Sequence, residues 1–265
     1  MTGRFFDKLD ALSAASKREP EQATARALYL DLMKRALLNL IYSEHEQKLK
    51  PFDEAARMEG REWPAMAHTM IGWQRLLNLQ SCVEQILAEN VPGDLIETGV
   101  WRGGAIIFMR AMLKAYDVRD RLIWGADSFQ GLPAPDPVRY AADAGDMLYT
   151  CRELSISLDE VRANFEKYGL LDEQVRFLPG WFRETLPEAP IEKLSLLRLD
   201  GDMYESTYVA LESLYPKLSR GGFLIVDDYG ALPSCRQAVT DFRQAAGISE
   251  EMIPIDWTGV YWRRR

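Results

Sequence analysis

Histidine is almost missing from this chain. Only His45 and His68 occur among 265 residues, and neither has a second histidine or a cysteine near it in sequence. That argues against a His-rich zinc centre. It also leaves Ser206 and Thr207 without a His-centred relay to activate them. Cysteine is scarce: Cys82, Cys151 and Cys235 are widely spaced, with no C-x-x-C, which reads as reduced thiols of a cytoplasmic protein. Positive charge is in deficit, 32 Lys and Arg against 40 Asp and Glu, for a net charge of −8. A nucleic-acid partner needs basic surface to displace counterions, so none is expected. Long apolar runs are absent as well. The richest stretch, 25–42, is broken by Asp31, Lys34, Arg35 and Asn39, and the opening MTGRFFDKLDALSAASKREPEQ has no apolar core. Neither a membrane span nor a signal peptide is expected. There is no internal repeat, no G-x-G-x-x-G and no P-loop, so a nicotinamide-dependent oxidoreductase lacks its main signature.

What is present is globular, 47% hydrophobic and 27% charged, over a length that fits one large α/β domain or two small ones. Residues 1–22 read as a polar arm. In 25–42, Leu30, Met33, Leu37, Leu40 and Ile41 fall at helical spacing, and Leu28, Leu32, Ala36 and Leu38 widen the apolar surface. Such a helix either packs on the main domain or meets a second copy of the chain. Residues 46–66 read as irregular. A helix over 68–90 buries Leu76, Leu79, Cys82, Val83 and Ile86. Strands are then expected at 94–100, 121–129, 175–181, 194–200 and 221–229, with two more around a turn in 252–264. They alternate with helices at 105–117, 157–169, 205–218 and 234–247, the second capped by Ser157 with Glu160 three residues on. Segment 131–150 is too polar for core and too long for a turn, which suits a lid. The alternation predicts an α/β fold, a doubly wound and mostly parallel sheet, with ligands beyond the carboxyl ends of the strands.

Those ends are where acids and glycines collect. The first carries ETGVWRGGA (97–105), in which Gly99, Gly103 and Gly104 permit a tight turn and Glu97 offers an acceptor. The second ends in Asp127, placed either to accept from ribose hydroxyls or to open the turn before Gly131. The fourth and fifth end in Asp200-Gly-Asp202 and Asp227-Asp228. If those strands are neighbours, four carboxylates converge. A hard divalent cation such as Mg²⁺ would relieve their repulsion. The competing reading has Asp202 capping the next helix and Asp227 and Asp228 opening a loop. Trp181 and Tyr229 stand just beyond strands, where an aromatic either packs or faces a ligand.

Several stretches resemble the macrocin O-methyltransferase family: HTMIG (68–72), GDLIETGVWRGGA (93–105), DSFQGLP (127–133), VRFLPGWFRETLP (175–187), LRLDGDMYEST (197–207), GGFLIVDDY (221–229), CRQAV (235–239) and DWTGVYWRR (256–264). The likeness spans residues 25–264 and implies a class I, Rossmann-like S-adenosyl-L-methionine and Mg²⁺-dependent enzyme that methylates sugar hydroxyls of antibiotics. By position it implies that Glu97, Gly99 and Gly103 line the methionine side of the cofactor and that Thr69 and Met70 meet its amino-acid end. Asp127 and Ser128 would lie at the ribose, and Gly180 and Trp181 at the adenine. Asp200 would touch cofactor and metal, Asp227 and Asp228 would complete the metal site, and Asp202 would be the general base. The expected organisation is an N-terminal arm and helical extension (1–67), serving as oligomer contact and lid, ahead of a methyltransferase domain (68–265). The expected partners are a glycosylated small-molecule acceptor and further copies of the chain in a homodimer or larger homo-oligomer, with neither nucleic acid nor membrane. Two rivals remain: an O-methyltransferase for phenols or catechols, and a non-catalytic nucleotide-binding subunit.

Overall fold

Residues 24–43 and 51–265 are described by a computed structural model of the chain. The arm expected over 1–22, and His45, lie outside them. Seven strands form one sheet: β1 (Asp94–Thr98), β2 (Ile123–Asp127), β3 (Val175–Pro179), β4 (Leu194–Leu199), β5 (Leu218–Val226), β6 (Ile253–Pro254) and β7 (Val260–Arg263). Their order is β3-β2-β1-β4-β5-β7-β6, with β7 antiparallel to β5 and to β6 and every other pairing parallel. The helices are α1 (Ala25–Leu37), α2 (Glu54–Glu59), α3 (Gly72–Ala88), α4 (Gly104–Ala115), α5 (Leu158–Lys167), α6 (Phe182–Thr185), α7 (Tyr204–Leu214) and α8 (Pro233–Ala245).

The two faces of the sheet read directly off strand periodicity. Leu95, Leu196 and Phe223 point to one core, with the buried faces of α1, α3, α4 and α5. Their successors Ile96, Leu197 and Leu224 point to the other, with α7 and α8. A parallel strand covered on both sides must be apolar along its length. β4, LSLLRL, is buried at every position, so its Arg198 needs partners inside the protein.

Three elements differ from the sequence expectation. Residues 54–59 are helical, not irregular. Asp53 caps α2 by accepting from the Ala56 amide at 3.0 Å, and Gly60 ends it at φ 65°. Helix α3 starts at Gly72, not at residue 68. The stretch before it is irregular and held by the His68 amide donating to the Leu37 carbonyl and its carbonyl accepting from the Gly104 amide, both at 2.9 Å. The short α6 was not anticipated. Helix α1 packs on the main core through Leu30, Met33 and Leu37, while Leu28 and Leu32 are 60% and 54% exposed. Segment 131–157 is ordered around three single 3-10 turns, Ala141–Asp143, Leu148–Thr150 and Arg152–Leu154. No helix among the described residues is long and apolar enough to cross a membrane.

Candidate active site

The register of β4 and β5 builds the site. Leu199 pairs with Val226, so the next residues, Asp200 and Asp227, emerge side by side, with Asp228 following. Oxygen atoms from Asp200, Asp227 and Asp228 lie within 4.8 Å of one another, and Asp228 Oδ2 is buried with no hydrogen-bond partner. Oxygen donors at this spacing suit a hard divalent cation.

These acids open into a cavity of about 300 Å³ at the carboxyl edge of the sheet. Thr69, Met70, Glu97, Gly99, Asp127, Ser128, Gly180, Trp181, Asp200, Asp202, Asp227 and Asp228 all line it. Gly103 does not; its neighbour Gly104 takes that place on the wall. Gly103 instead caps the start of α4 at φ 90°, where a Cβ would sit 3.1 Å from the Val161 side chain, so its glycine serves the turn. Gly99 is needed for close approach: a Cβ there would sit 1.7 Å from the Asp200 carbonyl oxygen. Tyr229 stays off the wall and packs beside the core under the Arg236 guanidinium.

Asp127 opens the turn before Gly131, one of the two readings of its position. Its oxygens accept from the amides of Val100 and Phe129 at 2.7 Å, which ties the first two strand-end loops together, and it still faces the cavity. Burial raises its pKa and those amides oppose the rise. Ser128 Oγ donates to the Gly131 carbonyl at 2.6 Å, which holds the turn.

Two arginines escaped the sequence reading, and both are buried among the acids. Arg198 Nη1 donates to Glu97 Oε1 at 2.5 Å and to Asp200 Oδ2 at 2.7 Å, and its Nη2 holds Asp227 Oδ1. Arg75 grips the other oxygen of Asp227, and reaches Asp256 at 3.0 Å and the Gly60 carbonyl at 3.2 Å. Burial works against the charge on Arg198, and Asp227, Asp200 and Glu97 outweigh it. Two guanidinium groups thus stand in a site with six carboxyl groups, Glu97, Asp200, Asp202, Asp227, Asp228 and Asp256. Burial raises the Glu97 carboxyl to about 8 against the pull of Arg198. The carboxyls of Asp202 and Asp228 are pushed well above the usual range by burial first and then by neighbouring acids.

Asp202 is not the cap of α7. The cap position belongs to Met203, which makes no side-chain bond there. The free amides of Tyr204 and Glu205 donate to Asp143, at 2.6 and 3.0 Å. Asp202 sits at φ 60°, a strained conformation for a non-glycine residue and common at functional positions. Arg61, Glu62 and Trp63, ahead of α3, and Trp257, ahead of β7, also line the cavity. His68, also on the wall, has its pKa lowered to about 4 by burial, with Lys167 and Arg102 adding to the effect. Its Nδ1 shares a 2.7 Å hydrogen bond with the Tyr168 hydroxyl, whose own pKa burial holds up at about 12.

The family model for macrocin-O-methyltransferase (TylF) matches residues 45–264. This chain belongs to that family. Within the macrocin-O-methyltransferase family, two relatives show how near its members stand. A tetracenomycin-C 4'-O-methyltransferase from Streptomyces olivaceus, named for an 8-demethyl-8-(2,3-dimethoxy-alpha-L-rhamnosyl) compound, is 55% identical over 90% of this chain and 93% of its own. Mycinamicin III 3''-O-methyltransferase from Micromonospora griseorubida is 54% identical over 91% and 98%. The solved O-methyltransferase NovP superposes with a TM-score of 0.87 at 54% identity, covering 90% of this chain and 99% of that one. Like them, this macrocin-family chain is an enzyme that methylates oxygen. Its seven-stranded, mostly parallel sheet is the class I methyltransferase fold, which supports S-adenosylmethionine as the donor.

Proposed function

We propose that this enzyme transfers the methyl of S-adenosylmethionine to a hydroxyl of a sugar carried by a natural product, with Mg²⁺ at Asp200, Asp227 and Asp228 and with Asp202 as general base. The carrying observation is the meeting of three carboxylate oxygens within 4.8 Å beside Asp202, a half-buried fourth acid that caps nothing. The two named relatives act on glycosylated compounds, one at a 4' and one at a 3'' oxygen. Identities of 54–55% therefore leave the hydroxyl itself unassigned.

The residues present fit both absent groups. Glu97 Oε2 is buried on the cavity wall without a partner, the chemistry that receives an ammonium or hydroxyl donor. With Thr69, Met70, Gly99, Asp127, Ser128, Gly180 and Trp181 it would hold the cofactor, Asp127 and Ser128 at its ribose. When bound, the sulfonium donor supplies the methyl and the cation acidifies and orients the acceptor hydroxyl. A sugar hydroxyl is less acidic than a phenol, whose pKa is about 10 in tyrosine, so a base at the reacting oxygen matters. Asp202 takes that proton as the new bond forms. Arg198 and Arg75 fix the oxygens of Asp227, and Arg198 fixes Asp200, so the ligand set is built before anything binds.

The enzyme acts in the cytoplasm, in keeping with three unpaired thiols. It assembles as a homo-oligomer through the outward side of α1, where Leu28 and Leu32 stand exposed.

The test is transfer of labelled methyl to mycinamicin III, to the rhamnosyl-tetracenomycin acceptor and to a simple catechol, with EDTA and then added Mg²⁺. Transfer to a glycosylated acceptor that stops with chelator and returns with Mg²⁺ is expected. Chelator-insensitive turnover would sink the metal assignment, and transfer to the catechol alone would sink the sugar.

A further inference from the structure

We propose that Asp143 is a positioning residue for the Asp202 turn, and that through this carboxylate the segment covering the cavity and the catalytic turn are ordered as one unit. The inference rests on the proton-accepting role proposed for Asp202.

Helix α7 begins two residues after Asp202, and a helix start leaves amides that need partners. No local side chain supplies them. Met203 has no oxygen to offer, and no helix amide donates to the Asp202 carboxylate among the described residues. Asp143 does the capping from 61 and 62 residues away in sequence, one oxygen to the Tyr204 amide and the other to the Glu205 amide. This remote cap leaves Asp202 free to face the cavity. A carboxylate is also favoured at this end of the helix dipole.

The same residue is the buried anchor of its own segment. Asp143 is 1% exposed, whereas Val138 and Met147 on either side are 97% and 59% exposed. Its amide donates to the Tyr140 carbonyl at 3.0 Å and its carbonyl accepts from the Asp146 amide at 3.1 Å, so the carboxylate cannot move without the turn around it. Tyr140 packs its ring 5.9 Å from that of Tyr204. Downstream, Leu148 and Leu154 reach the cavity wall, and Trp101 Nε1 fastens the end of the segment by donating to the Glu153 carbonyl at 2.8 Å. The chain over the cavity is thus tied at one end to the loop after β1 and in its middle to the start of α7. The first tie leads to the cofactor side and the second to the base. A segment with so little buried apolar surface opens locally at small cost once its anchor is gone.

Hydrogen exchange on the full-length protein reads both halves of the unit without turnover. In Asp143→Ala, peptides covering 131–154 and 200–206 should lose protection together, by tenfold or more, while peptides in β1 and β2 keep theirs. Turnover with mycinamicin III should fall at least tenfold in kcat, with the KM for S-adenosylmethionine unchanged. Asp143→Asn, which keeps one acceptor oxygen, should lose less in both regions and in kcat, and it serves if the alanine variant does not fold. Loss of protection confined to 200–206 would reduce Asp143 to an ordinary cap and overturn the coupling. Loss in both regions with kcat intact would overturn the positioning role. If wild type methylates no glycosylated acceptor, the proposed function fails, and the exchange data still decide whether the two regions move together.

Discussion

Arg198, next to last in β4, donates from Nη2 to Oδ1 of Asp227 just past the end of β5. The contact joins the two strands whose ends carry the acids, and Arg198 is 1% exposed. A guanidinium placed there does before metal binding part of what a cation does after it. Removing one member of a buried ion pair strands the other, at a cost of about 3–5 kcal/mol. Arg198→Met should therefore lower stability in chelator by that order in urea unfolding. Added Mg²⁺ should then raise the midpoint of the variant more than that of wild type. A loss below about 1 kcal/mol, the worth of an exposed pair, would mean the network is dispensable.

Asp228 gives the opposite sign. Its folded pKa lies well above its ordinary 3.8, through burial first and then Asp202, Asp200 and Asp227. A raised folded pKa means that the folded state binds the proton more tightly than the unfolded chain. Stability from this group is full below 3.8 and is lost as pH rises through the folded value. In EDTA the wild-type midpoint should rise as pH is lowered from neutrality toward 4, and Asp228→Asn should flatten that rise. The variant should be at least as stable as wild type at pH 7 without metal, and should lose the stabilisation that Mg²⁺ gives wild type. A variant still stabilised by Mg²⁺ would remove Asp228 from the ligand set.

His68 titrates in a separate window. Its folded pKa is about 4 against an ordinary 6.5, so the unfolded chain takes the proton first as pH falls. Its contribution is complete above 6.5 and is lost progressively between 6.5 and about 4. Because the buried acids slope the other way, the readout is the difference between wild type and His68→Gln. The two stability curves should converge as pH falls from 7 to 4. Parallel curves would show that burial does not hold the ring neutral.

The fold was legible because β4 and its neighbours must be apolar on both faces, and helix and strand periods alternate cleanly from residue 94 onward. The acid cluster was legible because it lies at strand ends, although its convergence depended on β4 and β5 being neighbours. Partners distant in sequence were not legible. Arg198 is the one charge in an apolar strand, and Arg75 lies on the same helix face as Leu76 and Leu79. Both were signals of buried cations, but nothing in the sequence says that each takes one oxygen of Asp227, 152 residues beyond Arg75. Asp143 is hidden for the same reason. The cap of α7 was sought next to the helix, in Asp202, and came from a polar segment that reads as loop. Gly103 misled in the reverse direction, since a glycine needed for a positive φ looks the same in sequence as one needed for ligand approach.

With the capping role taken by Asp143, Asp202 is left as a half-buried acid with no structural bond from its carboxylate among the described residues. Burial, then Asp200, Asp227, Asp146 and Asp127, push its pKa well above the usual carboxylate range, which is the direction that strengthens a base. A cation held by Asp200, Asp227 and Asp228 would draw it down again, so the base should be tuned by metal occupancy. Asp202→Asn should lower kcat by about 10²–10⁴, the span expected of a general base, while the Kd for S-adenosylmethionine in calorimetry stays at the wild-type value. Wild-type kcat/KM should fall on the acid side as Asp202 takes up a proton, and the residual rate of the variant should lack that limb. If instead cofactor binding is lost with turnover, Asp202 holds the cofactor and the proton goes elsewhere.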